Sequence, residues 1–152
     1  MLGVRIAVGL LAVVPLAAAC AAQDEPVHAA PVATTSPIGK PPAETLTPLK
    51  QLALPNVKGK TFTSAIVDFP PGAQAAPHRH GTAFVYAYVL EGSLRNQLDD
   101  QPATTVKAGD NWVELPGAHH GRAENASATE PAKLLVVFVS DTGAQVKIDD
   151  PS

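Results

Sequence analysis

Hydrophobic and polar positions alternate in short runs from about Leu46 towards the end of the chain. Each run is rich in branched and aromatic residues and stops at a turn signal such as Pro70-Pro71-Gly72 or Pro116-Gly117. Such runs are typical of β-strands, and no stretch has the sustained spacing of an amphipathic helix. The pattern predicts a small all-β domain over residues 46–150, a sandwich or a barrel. The predicted strands are residues 61–69, 84–90, 93–98, 111–115 and 133–140.

The beginning of the chain has a different pattern. Ile6–Ala19 is an apolar run of 14 residues that follows the basic side chain of Arg5. The run is shorter than the roughly 18–20 residues that span a bilayer, and it ends in small residues as a secretory signal does. We therefore expect residues 1–19 to be a signal peptide that exports the protein.

The single cysteine, Cys20, stands directly after this run. The stretch Leu16–Cys20 (LAAAC) resembles a bacterial lipobox, whose cysteine is lipidated and becomes the first residue of the mature protein. Ala17 occupies the position at which the lipobox prefers leucine, and Leu16 lies one residue further back. The resemblance implies a lipoprotein attached to the membrane only through a lipid on Cys20. Ordinary cleavage would instead release a periplasmic or secreted bacterial protein.

Residues 20–45 are dominated by Ala, Pro and Thr without periodicity. Such a segment buries too little apolar surface to offset its ordering entropy, so we interpret it as a disordered tether. The net charge of −3 provides no basic patch, which argues against nucleic acid as a partner. One cysteine also excludes an internal disulfide framework and a cysteine-rich zinc cluster.

Histidine is scarce, yet four of the five histidines form two tight pairs. His78 and His80 are two residues apart, so on a strand they project from the same face and could chelate a divalent ion. A third ligand would have to come from the other pair, His119 and His120. The alternative is a pair of exposed strand residues with no ligand.

Two stretches of the sequence resemble the motifs of the cupin superfamily. Its first motif, G-x5-H-x-H-x(3,4)-E-x6-G, is similar to Gly72–Gly92, and its second, G-x5-P-x-G-x2-H-x3-N, is similar to the stretch that starts at Gly109. The resemblance covers roughly residues 61–140. It implies a small single-domain, type-2-like cupin β-barrel, that is, a jelly roll or double-stranded β-helix. The matching positions are Gly72, His78, His80, Gly92, Gly109, Gly117 and His120.

Three positions depart from these motifs. The glutamate of the first motif would fall on Val85, or on Phe84 with the shorter spacing, and neither side chain can bind a metal. In the second motif Leu115 replaces the proline and Glu124 replaces the asparagine, although Pro116 and Asn125 follow each by one residue.

The resemblance leaves His78, His80 and His120 as the metal ligands. Glu114 is a candidate to replace the missing carboxylate, and the alternative is that it lies in water at the barrel rim. His119 should face away from His120 on a regular strand, unless a bulge brings it in as a supporting group.

The resemblance implies an exported cupin that holds a divalent metal cation (iron, manganese, nickel or zinc) in a three-histidine site. Such a protein could be a metal-dependent enzyme of the dioxygenase or isomerase type acting on a small organic substrate. Two other functions stay open: a module that binds a small-molecule ligand without turnover, and a scaffold lipoprotein without metal. Small cupins generally pair through an edge strand, so the resemblance also implies a homodimer.

Overall fold

A computed structural model describes residues 39–151 of the chain. The predicted signal peptide, Cys20 and the tether up to residue 38 lie outside the described residues. Between residues 39 and 151 the chain forms strands and turns without any helix, and therefore without a helix that could cross a membrane. The strands are β1 (Thr45–Ala53), β2 (Lys60–Phe69), β3 (His78–Arg79), β4 (Phe84–Glu91), β5 (Ser93–Leu98), β6 (Thr104–Lys107), β7 (Asn111–Glu114), β8 (His119–Asn125), β9 (Ala132–Asp141) and β10 (Ile148–Asp149).

The strands form two five-stranded sheets. The first sheet has the order β1-β2-β9-β4-β7, and the second has the order β10-β3-β8-β5-β6. Every pair of neighbouring strands is antiparallel. The chain crosses repeatedly from one sheet to the other, as in a jelly roll. The prediction of an all-β double-stranded β-helix is confirmed.

Side chains from both sheets fill the space between them. β9 alternates buried and partly exposed positions along almost its whole length, as expected for a strand with one face in a core. The largest completely buried side chains are Phe138, Leu94, Val85 and Val89. The ring of His80 packs against Phe138, with 5.3 Å between the ring centroids. The apolar core is therefore continuous with the histidine cluster.

The five predicted strands correspond to β2, β4, β5, β7 and β9, with each end placed to within one residue. The other strands lack the signal that the prediction used. β1 contains Pro48 and exposes all nine of its residues, so it has no buried face to produce alternation. β8 is largely polar, and β3 and β10 have only two residues each.

The last residues of the predicted tether contact the domain. The backbone N–H of Gln74 donates to the carbonyl of Pro42 at 2.9 Å. The carboxylate of Glu44 pairs with Lys147 at 3.0 Å, and β1 begins at Thr45. These contacts are long-range, so the composition of the segment gives no sign of them.

Candidate metal centre

Two neighbouring strands of the second sheet bring three histidines together. His78 on β3 is paired directly with His120 on β8, so both side chains project from the same face. His80 follows two residues after His78 and projects from that face as well. The three residues are 5%, 8% and 5% exposed, and one ligand atom from each lies within 4.8 Å of the others. The pairs that are distant in sequence meet in one buried cluster.

Each of the three imidazoles has its Nδ1 atom occupied by an acceptor. Nδ1 of His78 bonds to the carbonyl of Ala76 at 2.7 Å, and that of His80 bonds to the carbonyl of Val146. Nδ1 of His120 lies 3.2 Å from Oε1 of Glu114. Carbonyl and carboxylate oxygens only accept hydrogen bonds, so Nδ1 carries the hydrogen in each ring. The lone pair of each neutral ring is therefore on Nε2.

This hydrogen-bond pattern is the one that supports metal-ligating histidines, which donate their second N–H to a carbonyl or a carboxylate. Nε2 of His120 is buried and has no hydrogen-bond partner within the described residues. An unpaired buried polar atom is costly unless something binds it. Three imidazoles with free Nε2 atoms suit zinc and other divalent transition metals. The residues therefore fit the cation that the sequence predicts.

A carboxylate lies beside these rings. Glu114 is the last residue of β7 and is only 2% exposed, so the alternative of a solvated glutamate at the rim does not hold. Its Oε1 accepts a hydrogen bond from Nε1 of Trp112 at 3.0 Å as well as the one from His120. Its Oε2 lies 3.4 Å from Nε2 of His80. Trp112 thus fixes the orientation of this carboxylate.

The described fold agrees with comparisons to known proteins. Residues 65–138 match the family model described as "Cupin domain". This part of the chain is similar to cupin domains. No curated protein sequence matches the chain.

Solved structures with the cupin fold resemble the chain. One is the protein TT1209 from Thermus thermophilus, with 22% identity, a TM-score of 0.53, and coverage of 64% of this chain and 84% of that chain. Another is the cupin domain of Cnp3 from Schizosaccharomyces pombe, with 15% identity, a TM-score of 0.55, and coverage of 70% and 67% respectively. A third is an oxalate oxidase in complex with the substrate analogue glycolate, with 27% identity and a TM-score of 0.55. The match covers 66% of this chain and 53% of the oxalate oxidase.

Burial sets the protonation states of the groups in this site. Removal from water lowers the pKa of His78 to about 4 and also lowers the pKa of His80, because a buried imidazole is harder to charge. Burial by itself would raise the pKa of Glu114, but the neighbouring imidazoles of His120 and His80 and the hydrogen bond from Trp112 hold it below its usual value. At neutral pH His78 and His80 are neutral and Glu114 is ionised, as metal binding requires.

His119 lies outside the cluster. Its Nε2 bonds to Oδ2 of Asp150 at 2.7 Å, and its backbone N–H donates to Asp99. β3 and β8 are in register here, because Arg79 pairs with His119 just as His78 pairs with His120. The pairing of β8 with β5 shifts register between His120 and Arg122, beyond His119. Strand alternation therefore still turns His119 away from the site.

The histidines and Glu114 form one wall of a small cavity inside the cupin barrel. The cavity has a volume of about 60 Å³, and most of its other lining residues are apolar, among them Val67, Phe69, Leu134 and Phe138. Glu44 and Lys147 line both this cavity and an adjoining cleft of about 330 Å³. Lys147 is paired with Glu44 at 3.0 Å and with Asp149 at 2.7 Å. An ion-paired cluster of charges therefore lies at the mouth, a feature that the sequence analysis missed.

Proposed function

We propose that the cupin domain binds a divalent cation through His78, His80 and His120 and uses it to act on a small organic substrate. The observation that supports this most strongly is the common hydrogen-bond pattern of the three rings. Each Nδ1–H is held by an acceptor, which leaves three Nε2 lone pairs for one ion. When bound, such an ion supplies Lewis-acid chemistry towards a substrate oxygen.

The residues of the cavity define what the substrate can be. Apolar walls exclude water and leave a space of about 60 Å³, so the substrate is a compact molecule with an oxygen group that points towards the histidines. Lys147 at the mouth offers a cation whose charge Glu44 and Asp149 balance. The likeness to an oxalate oxidase bound to glycolate supports the oxidoreductase class, although the chain spans about half of that protein.

The second candidate function is a cupin that binds a small molecule without metal or turnover. It is favoured by one observation, the replacement of the motif's glutamate by Val85, which is 1% exposed and cannot bind an ion. This candidate would use the same cavity, with the buried histidines as hydrogen-bonding groups for the ligand.

Metal analysis of the purified protein tests the proposal. The wild type should retain a stoichiometric amount of a transition metal after gel filtration, and the His78→Ala, His80→Ala double variant should lose it. His119→Ala is the matched control and should keep the metal, because its ring faces Asp150. Equal metal content in the wild type and the double variant would reject the site.

Turnover separates an enzyme from a binding module. The wild type would be stripped of metal, reloaded with iron, manganese, nickel or zinc, and offered small hydroxy acids, enols and phenols. Product that depends on the metal and disappears in the double variant supports the enzyme. Saturable ligand binding without product supports the binding module.

We further propose that the protein is exported and carries a lipid on Cys20, with the cupin domain outside the cytoplasm. The support comes from the apolar run Ile6–Ala19 and the lipobox-like stretch Leu16–Cys20. Fractionation of cells that express Cys20→Ser tests it. This variant should leave the membrane fraction, and its retention there would contradict lipid attachment.

A further inference from the structure

We infer that the ion pair between Glu44 and Lys147 closes the cavity, and that it opens to a small molecule that carries a carboxylate. In the structure the carboxylate of Glu44 lies 3.0 Å from the ammonium group of Lys147. The carboxylate of an entering ligand takes the place of Glu44 on this ammonium group. This inference rests on the proposed function, because it names the class of substrate that reaches the histidines.

The pair lies where the cavity meets the outer cleft. The cavity of about 60 Å³ contains the histidines, and the cleft of about 330 Å³ adjoins it. Glu44, Ala75 and Lys147 line both spaces, so they form the boundary between them. The methyl group of Ala75 is too short to span this boundary, whereas the two charged side chains meet across it. A molecule that passes from the cleft to the cavity must separate these two side chains.

Lys147 is suited to hold a carboxylate from a ligand. Its ammonium group has three N–H donors and lies 2.7 Å from a carboxylate oxygen of Asp149, in addition to its pairing with Glu44. Burial by itself would lower the pKa of Lys147, but the hydrogen bonds to these two carboxylates hold it above its usual value. Lys147 is therefore charged at neutral pH. Exchange of Glu44 for a ligand carboxylate leaves two carboxylates on Lys147, so the local balance of charge is unchanged.

Glu44 is the partner that can move. It belongs to residues 39–44, which precede β1 and form neither a strand nor a helix. The backbone N–H of Gln74 donates to the carbonyl of Pro42 at 2.9 Å, but Pro42 has no N–H of its own to offer in return. Segments with few backbone hydrogen bonds open at low cost in free energy. Asp149, by contrast, lies on β10, which is paired with β3. Opening therefore displaces residues 39–44 and leaves Asp149 in place.

The histidine end of the cavity favours the same class of ligand. The imidazoles bring no negative charge, and Val85 stands where the first motif has a glutamate. Glu114 beside the rings balances at most one of the two charges of a divalent ion, and opposite charges attract strongly where water is scarce. The charge of Lys147 also reaches these rings, since it adds to the effect of burial in lowering the pKa of His78. An anionic ligand is therefore attracted both at the mouth and at the ion.

Binding of matched probes tests the inference. Malonate and succinate each carry one carboxylate for the ion and a second for Lys147. Their monoamides, malonamate and succinamate, have the same shape with one charge fewer. Isothermal titration calorimetry of the zinc-loaded protein measures the four affinities, and the metal content is measured on the same samples. The wild type should bind at least one dicarboxylate more tightly than its monoamide.

Two variants assign this preference to the ion pair. Lys147→Met should weaken binding of the preferred dicarboxylate by about tenfold or more, because a hydrogen bond between charged groups is lost, and should leave binding of its monoamide close to that of the wild type. Glu44→Gln removes the competing carboxylate and should tighten binding of the dicarboxylate by about fivefold, as expected for the loss of a partly exposed ion pair. Lys58→Met and Glu130→Gln are matched controls at exposed positions that line neither space, and both should match the wild type.

Wild-type affinity for the dicarboxylates in Lys147→Met would overturn the inference, as would a Glu44→Gln variant that binds them no more tightly. The double variant Glu44→Gln with Lys147→Met covers the case in which the single lysine variant does not fold, because it removes both charges of the pair. It should also bind the dicarboxylate about tenfold more weakly than the wild type, and wild-type affinity would count against Lys147. A wild type that holds zinc but prefers neither dicarboxylate rejects this inference alone. A wild type that holds no zinc rejects the proposed metal site instead.

Discussion

At the scale of single residues, the site depends on which atom of each side chain is hydrogen-bonded to another group of the protein. Three Nδ1 atoms and one carboxylate oxygen are held by hydrogen bonds. Nε2 of His120 and Oε2 of Glu114 are buried without such a partner in the part of the chain that the structure describes. The protein therefore fixes the orientation of these groups and leaves their other atoms for a ligand.

The depressed pKa of His78 makes the stability of the metal-free protein depend on pH. The pKa is about 4 in the folded state and about 6.5 in an unfolded chain, so between these values the unfolded state binds more protons. The free energy of unfolding should therefore fall as the pH is lowered from about 6.5 to about 4, with up to about 1.4 kcal/mol per pH unit from this group.

Urea denaturation in the presence of a chelator, at intervals across that pH range, measures this effect. His78→Gln removes one of the two buried histidines whose pKa is lowered and should make the dependence shallower, while the contribution of His80 remains. Parallel pH profiles for the wild type and His78→Gln would show that His78 does not contribute.

At the scale of elements, the stability of the domain depends on the hydrogen bonds that fix the ends of strands to neighbouring segments. Asn125, the last residue of β8, is 5% exposed, and its amide nitrogen lies within hydrogen-bonding distance of the carbonyls of Phe69, Pro70 and Glu130. Its side-chain oxygen accepts from the backbone N–H of Ser127 at 2.9 Å. One side chain thus joins the end of β2 to the connection between β8 and β9.

Asn125→Ala should destabilise the domain by about 2–4 kcal/mol, because it leaves buried carbonyl groups without a donor. Thermal or chemical denaturation measures the loss. Asn111→Ala is a control with an exposed asparagine on β7 and should change the free energy of unfolding by about 0.5 kcal/mol or less. Similar losses in both variants would mean that the amide of Asn125 has no special role.

The conformation of the connection between β4 and β5 also depends on an element that is distant in the sequence. Gly92 has a φ of 71°, and an added Cβ would collide with the carbonyl oxygen of Pro131 and with Ala132. The first motif requires glycine here because the start of β9 packs directly against this turn.

At the scale of the whole molecule, the site joins the two sheets. His78 and His120 belong to the second sheet, and Glu114 belongs to the first. A cation held by the histidines of this site would bind the folded state and not the unfolded chain. It should therefore stabilise the entire domain by mass action.

Zinc at about 100 times its dissociation constant should add about 2.7 kcal/mol to the free energy of unfolding, which corresponds to a rise in Tm of about 10 °C for a domain of this size. Differential scanning fluorimetry with and without zinc measures the shift. His119→Ala should show the full shift and the His78→Ala, His80→Ala variant none. An equal shift in that double variant would place zinc at another site.

The proposed homodimer is also a property of the whole molecule. Among the described strands, β1 lies at the edge of the first sheet and pairs with β2 alone. It exposes Leu49 by 57% and Leu52 by 40%. A free edge with exposed leucines is suited to pairing with a second copy.

Light scattering should therefore give twice the monomer mass for the wild type and the monomer mass for Leu49→Lys with Leu52→Lys. Leu90→Lys, which replaces another exposed leucine, should remain a dimer. A monomeric wild type would contradict the proposal.

The sequence by itself determined the properties that follow from neighbouring residues. Alternation and turn signals placed β2, β4, β5, β7 and β9, because the two-residue period of a strand is local. The same period put His78 and His80 on one face and turned His119 away from His120. Spacing in the cupin motifs then indicated the fold and the third histidine.

Only the tertiary structure decided which residues surround the histidines. The position of Glu114 depends on its pairing with Val85, and Nδ1 of His80 bonds to the carbonyl of Val146, 66 residues away in the sequence. The mouth of the cavity likewise joins Glu44 to Lys147. These contacts depend on the register between strands and on where the two ends of the domain pack. Neither leaves a periodic pattern along the chain, because the residues involved are close only after folding.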